Sequence, residues 1–436
     1  MKRTLAFLLA AVMMLALLPA LALADKPITI NVMIENRSDT EHEGFMKCLV
    51  EPFLAEHPEI EINWMPTPDN MNVMKIQMAA GQGADLCFTD GPTAAKELAD
   101  AGRILDMTKY FEKYGWDEII DQWALNMVNF DGHYYAIPTE IDSMWMFYNT
   151  DLFAEYGWTP PTNYEELCKV ADESIANGYT AMAFGNSSSQ SDIDHWLTIA
   201  YNMYAGAADM KAGLKNELKW NEGNLKGAIE RLNEMWQKGY INDRQSYAVS
   251  KNDARTLFYT GRATMKMDGS WFYVKMLAFG EVNYEIAPLP TLRDDVNYNL
   301  PVGIGEAIVI NANAKEEVAD ACAELLNFML TRPDLHLEQV INYGISPMPI
   351  SFPLDAFPAD VDPHLMAMLQ YTNEATASED GAGMVVWCAF PTEMRNWQIQ
   401  NMDKVFMGTM TVDEFCDGTQ KVFEKCFAEG SVPNLP

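Results

Sequence analysis

Residues 28–34 have the sequence ITINVMI, and residues 60–64 have the sequence IEINW. The alternation of β-branched and polar residues predicts a strand for each run. Apolar residues at helical spacing over 43–55 predict a helix between them. A strand, a helix and a second strand in this order form a β-α-β unit, which is how a parallel α/β sheet begins.

The same alternation continues along the chain. The run DLCF at 85–88 predicts a third buried strand, and Pro92 predicts the first turn of a helix that stops at Gly102. The capping boxes TNYE at 162–165 and TVDE at 411–414 predict two later helix starts. This alternation of strands and helices predicts an α/β fold. The sequence contains no internal repeat, heptad run or low-complexity linker.

Composition excludes several classes of function. The 436 residues suffice for two or three domains, and 49% hydrophobic with 11% aromatic residues indicates a folded chain. Lys and Arg number 30 against 62 Asp and Glu, which gives a formal net charge of −32. Such a surface repels phosphate backbones and anionic lipids, so we expect no nucleic-acid partner.

The first 24 residues have the pattern of a signal peptide. Lys2 and Arg3 precede an apolar run over 5–18, and Ala22-Leu23-Ala24 predicts cleavage after Ala24. No later run approaches the roughly 20 apolar residues of a membrane span. We therefore expect an exported protein, periplasmic or extracellular. No cysteine follows the cleavage site, so a lipid anchor is not expected.

Seven cysteines occur without any C-x-x-C spacing, which argues against a cysteine-based zinc site. We expect buried free thiols, with one or two disulfide bonds left open as an alternative. Cys416 and Cys426 cannot pair if they share one helix, because ten positions put them about 15 Å apart. The histidines never occur at i, i+3 or i+4, and the 29 methionines suit core packing, so no metal is predicted.

Motifs for catalysis are missing from the sequence. There is no G-x-S-x-G motif and no G-x-x-x-x-G-K-[ST] phosphate loop. The glycines of GIG at 303–305 precede a predicted strand instead of a helix, which excludes a dinucleotide fingerprint. We expect neither enzymatic activity nor a cofactor. An exported carbohydrate-active enzyme remains the alternative, because carboxylates and aromatic residues are abundant.

Six short motifs occur in order over essentially the whole mature chain. They are GADL at 83–86, YNTDLF at 148–153, PPTNYEEL at 160–167, FYTGRATM at 258–265, DGSW at 268–271, and APLP at 287–290 with GIG at 303–305. Together they resemble the type 1 extracellular solute-binding proteins of bacterial ABC transporters, in particular the maltose-binding-protein-like carbohydrate branch. The sequence departs from the family pattern with Ala84 for proline, Thr150 for lysine and Tyr164 for tryptophan.

The resemblance implies a periplasmic-binding-protein-like fold of type II, with two α/β lobes joined by a hinge of three crossings. Mapped by motif, lobe one comprises 25–142 and 305–360, and lobe two comprises 143–304 and 361–436. The resemblance also implies a monomeric receptor that holds a carbohydrate between the lobes and delivers it to the permease subunits of an ABC transporter. A receptor of the same fold for a polyamine or a peptide is a further alternative, because the acidic surface favours cations.

The resemblance, together with sugar chemistry, implies candidate ligand-binding residues. Hydroxyl groups pair with carboxylates, amides and guanidinium groups, and pyranose faces stack on aromatic rings. Trp271 matches the stacking tryptophan of the family, and Arg37 and Asp39 follow the first predicted strand, at the end where α/β sheets place ligands. The full set is Arg37, Asp39, Asp90, Glu140, Asp142, Trp145, His195, Trp196, Trp271, Glu306, Trp387, Arg395 and Trp397.

Overall fold

The computed structural model describes residues 27–187, 192–245, 248–279, 282–350, 357–378 and 381–435. The predicted signal peptide over 1–24 lies outside the described residues. Within them, none of the helices combines the length and the apolar character that crossing a membrane requires.

The expected α/β fold is confirmed. The strands are β1 (Ile28–Glu35), β2 (Ile60–Thr67), β3 (Leu86–Thr89), β4 (Asn129–Phe130), β5 (His133–Tyr134), β6 (Ile137–Asn149), β7 (Thr180–Met182), β8 (Ala263–Gly269), β9 (Tyr284–Ala287), β10 (Leu300–Ile310) and β11 (Ala382–Met384).

Helices surround the strands. They are α1 (Asp39–Phe45), α2 (Glu51–Glu56), α3 (Asn70–Ala79), α4 (Gly91–Asp100), α5 (Thr108–Tyr114), α6 (Gln122–Val128), α7 (Thr150–Tyr156), α8 (Tyr164–Ala176), α9 (Ile193–Ala200), α10 (Ala207–Leu214), α11 (Gly223–Gln237), α12 (Lys251–Tyr259), α13 (Phe272–Phe279), α14 (Glu316–Thr331), α15 (Pro333–Tyr343), α16 (Pro363–Thr376), α17 (Val386–Ala389), α18 (Thr392–Phe406) and α19 (Val412–Ala428). Single turns of π-helix, Met46–Val50 and Tyr201–Ala205, follow α1 and α9.

The opening β-α-β unit is present as predicted. Strand β1 pairs in parallel with β2 and with β3. Its inward side chains Ile30 and Val32 are fully buried, because every second residue of a strand faces the same side. The first helix begins earlier than the predicted 43–55, since Ser38 caps it and forms a capping box with Glu41.

Two long strands, β6 and β10, are shared by both halves of the main sheet, whose order is β2-β1-β3-β10-β6-β8-β7. The second part of β10 pairs with β3, whereas its first part pairs with β11. The second part of β6 pairs with β8 and β9. The lobe boundaries expected at 142/143 and 304/305 fall inside these shared strands, and the division into lobes stays a prediction.

One predicted helix start is shifted by a residue. Asn163, not Thr162, caps α8, and its side chain accepts a hydrogen bond from the Glu166 amide at 3.0 Å. Thr162 instead donates its own amide and hydroxyl to the Glu166 carboxylate. The box at Thr411 and Glu414 is confirmed.

All seven cysteines are free thiols, and six of them are buried as expected, whereas Cys168 is partly exposed. Cys416 and Cys426 lie in the single helix α19, and both are buried.

Candidate functional site

An arginine fork joins three elements of the half that contains β1. Arg37 follows β1, and Glu140 on β6 lies directly opposite Glu306 on β10 in the ladder. Arg37 Nη1 lies 2.7 Å from Glu140 Oε1, and Nη2 lies 2.8 Å from Glu306 Oε1. Like charges opposite each other destabilise a sheet, so the guanidinium holds this pair of carboxylates together.

Burial sets the electrostatics of the fork. Burial raises the pKa of Glu306 well above its usual value, and Arg37 only partly offsets this. Burial alone would lower the pKa of Arg37, but the Glu140 and Glu306 carboxylates more than reverse that effect. Among the residues that the structure describes, Glu306 Oε2 and Arg37 Nε are buried without a hydrogen-bond partner. The fork therefore retains an unused acceptor and an unused donor.

Asp142 connects the fork to the other half of the molecule. It lies two residues after Glu140 on β6, and its Oδ2 accepts a hydrogen bond of 3.1 Å from Trp387 Nε1. Burial and then the charge of Glu140 raise its pKa well above the usual value. A Cβ at Gly305 would lie 2.1 Å from Asp142 Oδ2, so the opposite strand needs glycine at this position.

Two tryptophans and a histidine form an aromatic wall in the half that contains β8. The ring of His195 lies 5.5 Å from that of Trp271 and 5.9 Å from that of Trp387, and the two indoles are 5.7 Å apart. A Cβ at Gly269 would lie 2.1 Å from the Trp271 ring, so the glycine allows the indole to fold back over β8.

Behind this wall lies a buried charged network that the sequence did not reveal. Lys266 and Asp268 on β8 and Asp192 before α9 are fully buried. Lys266 Nζ lies 3.0 Å from Asp192 Oδ2. Arg255 on α12 donates two hydrogen bonds to Asp268, at 2.9 and 3.0 Å. Although burial alone would raise the pKa of Asp268, Arg255 and Lys266 hold it well below the usual value.

The ligand atoms of Asp192, His195 and Asp268 lie close enough together to hold a metal ion. Lys266 and Arg255 already neutralise both carboxylates. A divalent cation at this position would face two protein cations, so the network does not fit a metal site.

A third group of charges lies where α9 meets α18, near the start of α4. Arg395 donates hydrogen bonds to both oxygens of Asp194, the shortest at 2.6 Å. Burial raises the pKa of Asp90, and the charge of Arg395 partly offsets it, although the Asp90 carboxylate remains accessible to water. Thr93, one turn into α4, donates to the carbonyl of Cys388 at 2.9 Å.

The structure brings together nine of the thirteen candidate residues. They are Arg37, Asp90, Glu140, Asp142, His195, Trp271, Glu306, Trp387 and Arg395.

The structure places the other four candidates elsewhere. Asp39 is exposed in the first turn of α1. Trp145 is 2% exposed, because its odd position on β6 turns it away from Glu140 and Asp142, and its indole donates to Ser143. Trp196 is 1% exposed, since one residue along α9 from His195 is a rotation of about 100° into the core. Trp397 packs over Gly418 of α19 and lines a separate cavity of about 580 Å³. These four leave the candidate set.

Lys251 joins the set, although sequence reasoning missed it. It begins α12, and its Nζ lies 3.2 Å from His195 Nε2 and 5.9 Å from the centre of the Trp271 ring. The capping box of Ser250 and Asp253 marks the helix start but gives no sign of what Lys251 faces.

The family model for bacterial extracellular solute-binding proteins matches residues 38–334, which is more than half of the chain. The chain belongs to this family. The resemblance expected from the six motifs is thereby confirmed.

Several sugar-binding proteins are similar in sequence to this chain. A maltotriose-binding protein of Pyrococcus abyssi is 23% identical over 325 residues, which cover 73% of this chain and 66% of that protein. The maltodextrin-binding protein MdxE of Bacillus subtilis is 26% identical over 236 residues, which cover 52% of each chain. The chain thus spans about half to two thirds of the length of these relatives.

Solved structures of other binding proteins share the fold. A chitin oligosaccharide binding protein superposes with a TM-score of 0.81 at 21% identity and covers 92% of this chain and 100% of that chain. The maltose/maltodextrin-binding domain MalE of Bdellovibrio bacteriovorus, bound to maltotriose, gives a TM-score of 0.70 at 18% identity, with coverage of 92% and 100%. The expected type II periplasmic-binding-protein-like fold is confirmed.

Proposed function

We propose that this solute-binding protein is an extracytoplasmic receptor that binds a carbohydrate, in particular an oligosaccharide, between its two halves. It delivers the ligand unchanged to the permease subunits of an ABC transporter. The observation that carries the proposal is the position of the Trp271–Trp387 indole pair, which Asp142 connects to the Arg37 fork through its hydrogen bond with Trp387.

This arrangement suits a sugar. A pyranose has apolar C–H faces that stack on indoles, and its hydroxyl groups both donate and accept hydrogen bonds. The unused acceptor of Glu306 and the unused donor of Arg37 provide for such hydroxyl groups. The ligand-binding residues we propose are the nine converging candidates together with Lys251 and Asp194.

The relatives support the class of ligand. Proteins similar to this chain are named for binding maltotriose, maltodextrin and chitin oligosaccharide. Sugar contacts from both halves would stabilise the closed arrangement, and a ligand shifts such an equilibrium only by its stronger affinity for the closed form. In this account the protein is a monomer that acts outside the cytoplasm, without enzymatic activity and without a nucleic-acid partner.

The experiment is a thermal-shift screen of the mature chain against mono- and oligosaccharides, with polyamines and peptides as controls. A ligand that binds only the folded state raises the apparent stability. Bound saccharide is then recovered after prolonged incubation and compared with the starting material by mass spectrometry.

A saccharide that stabilises the protein and returns unmodified supports the receptor. Recovery of cleaved or otherwise altered sugar would assign the protein to the carbohydrate-active enzymes instead. A response only to amines or peptides would keep the fold and change the ligand class.

A further inference from the structure

Lys251 is a cation without a counter-charge at the aromatic wall. Among the residues that the structure describes, no carboxylate oxygen lies within 4.0 Å of its Nζ. The other two cations of the site differ, because Arg37 contacts Glu140 and Glu306, and Arg395 contacts Asp194. Lys251 also occupies the first position of α12, where the helix dipole disfavours positive charge.

The network behind the wall does not neutralise Lys251. It contains three cations, Lys251, Arg255 and Lys266, but only two carboxylates. Asp268 is taken by the two hydrogen bonds from Arg255 and by Lys266, and Asp192 accepts from Lys266 and from a backbone amide. The excess positive charge therefore remains at Lys251.

His195 cannot supply the missing negative charge. Its Nε2 accepts from the Lys251 ammonium, so its own proton lies on Nδ1, which is 3.4 Å from Asp192 Oδ1. Burial and the charge of Lys251 lower the pKa of His195 well below its usual value, which keeps the imidazole neutral.

Asp142 does not neutralise Lys251 either. Asp142 interacts with Lys251 only at longer range, since its Oδ2 accepts from Trp387 and burial raises its pKa. The Lys251 ammonium has three N–H donors and gives one to His195. Within the described part of the chain, the other two have no acceptor.

We propose that the saccharide carries a carboxylate, as in a uronic acid unit, and that this carboxylate pairs with Lys251 beside the Trp271 indole. The inference rests on the proposed function and names its substrate class. A neutral sugar could stack on the same indoles but would leave the Lys251 charge uncompensated, whereas a uronate accepts both free N–H groups.

The experiment is a capture assay with a mixed pool of oligosaccharides. The pool combines partial hydrolysates of pectin and glucuronoxylan, which contain uronic acid units, with neutral oligosaccharides from starch and chitin. Wild-type protein, Lys251→Met and Lys251→Arg are incubated with the pool and washed, and the bound saccharides are identified by mass spectrometry. The affinity for each captured acidic saccharide is then measured by calorimetry.

We expect wild-type protein to enrich uronate-bearing saccharides. Lys251→Met should weaken their binding roughly 10–100-fold, and Lys251→Arg should retain most of it, because a charge-assisted hydrogen bond is lost only in the first variant. Lys251→Met should also raise the melting temperature of the ligand-free protein, since it removes an unpaired and partly buried charge.

Capture of neutral saccharides alone by wild-type protein would overturn the inference and leave the receptor function standing. Capture of no saccharide would contradict the proposed function itself. A lower melting temperature for Lys251→Met would show that the ammonium is already paired in the fold, which also contradicts the inference.

Discussion

Replacement of Asp268 by asparagine tests whether the buried network behind the aromatic wall stabilises the fold. Asparagine keeps the volume of the side chain but removes the negative charge of Asp268. The Asp268 carboxylate lies 2.9 and 3.0 Å from the Arg255 guanidinium and 3.4 Å from Lys266 Nζ. All of these groups are nearly or completely buried, so water cannot replace the lost charge. Removal of one partner of a buried ion pair costs about 3–5 kcal/mol. We expect Asp268→Asn to lower the free energy of unfolding by that amount.

The assay is urea denaturation at pH 7, with the change taken from the shift of the midpoint. The matched control is Asp100→Asn, because Asp100 forms an ion pair of 2.9 Å with Lys96 while remaining 52% exposed. Such a surface pair contributes about 0–1 kcal/mol. Adding Lys266→Met to Asp268→Asn should recover part of the loss, since it removes a cation left unpaired. A loss below about 1 kcal/mol for Asp268→Asn would refute the reasoning.

Three further predictions concern other parts of the fold. Burial lowers the pKa of His336 to about 4, whereas an unfolded histidine titrates near pH 6.5. The free energy of unfolding should therefore be highest above pH 6.5 and lower by about 2 kcal/mol at pH 5, because only the unfolded state takes up the proton. Urea denaturation of wild type and His336→Gln at both pH values measures this difference. Gly305→Ala should cost about 1–3 kcal/mol in the same assay, because its Cβ would clash with Asp142; an unchanged midpoint would contradict the geometry. A thiol reagent should label all seven cysteines after denaturation without reductant but no more than Cys168 in the folded protein, since the other six are buried and burial raises the pKa of Cys87, for example, to about 12.

The sequence predicted the elements well where local patterns decide them. Strand β1 and the Thr411 capping box follow from β-branched alternation and from the spacing of a hydroxyl and a carboxylate. Arg37 and Glu306 were each named as candidates from their positions beside predicted strands, but their direct contact of 2.8 Å was not predicted. The box at Thr162 was shifted, since Asn163 competes as a cap and the sequence does not decide between them.

The sequence could not predict which side chains turn away from the site or which charges are buried behind it. Trp145 lies three residues from Asp142 and Trp196 lies next to His195, but an odd step along a strand reverses the side chain, and one step along a helix rotates it by about 100°. Lys266 lies in a run that is otherwise typical of a buried strand, and its partners Asp192 and Arg255 come from distant segments. Pairing over such distances has no local signal.

The most direct test of the central claim is a calorimetric titration with the saccharide that the thermal-shift screen identifies. Wild-type protein, Trp271→Ala and Trp397→Ala are titrated in parallel, because both indoles are partly buried but only Trp271 belongs to the aromatic wall. The account predicts one bound saccharide per chain, a loss of roughly 10–100-fold in affinity for Trp271→Ala, and an unchanged affinity for Trp397→Ala. Wild-type affinity in Trp271→Ala would contradict the assignment of the binding site.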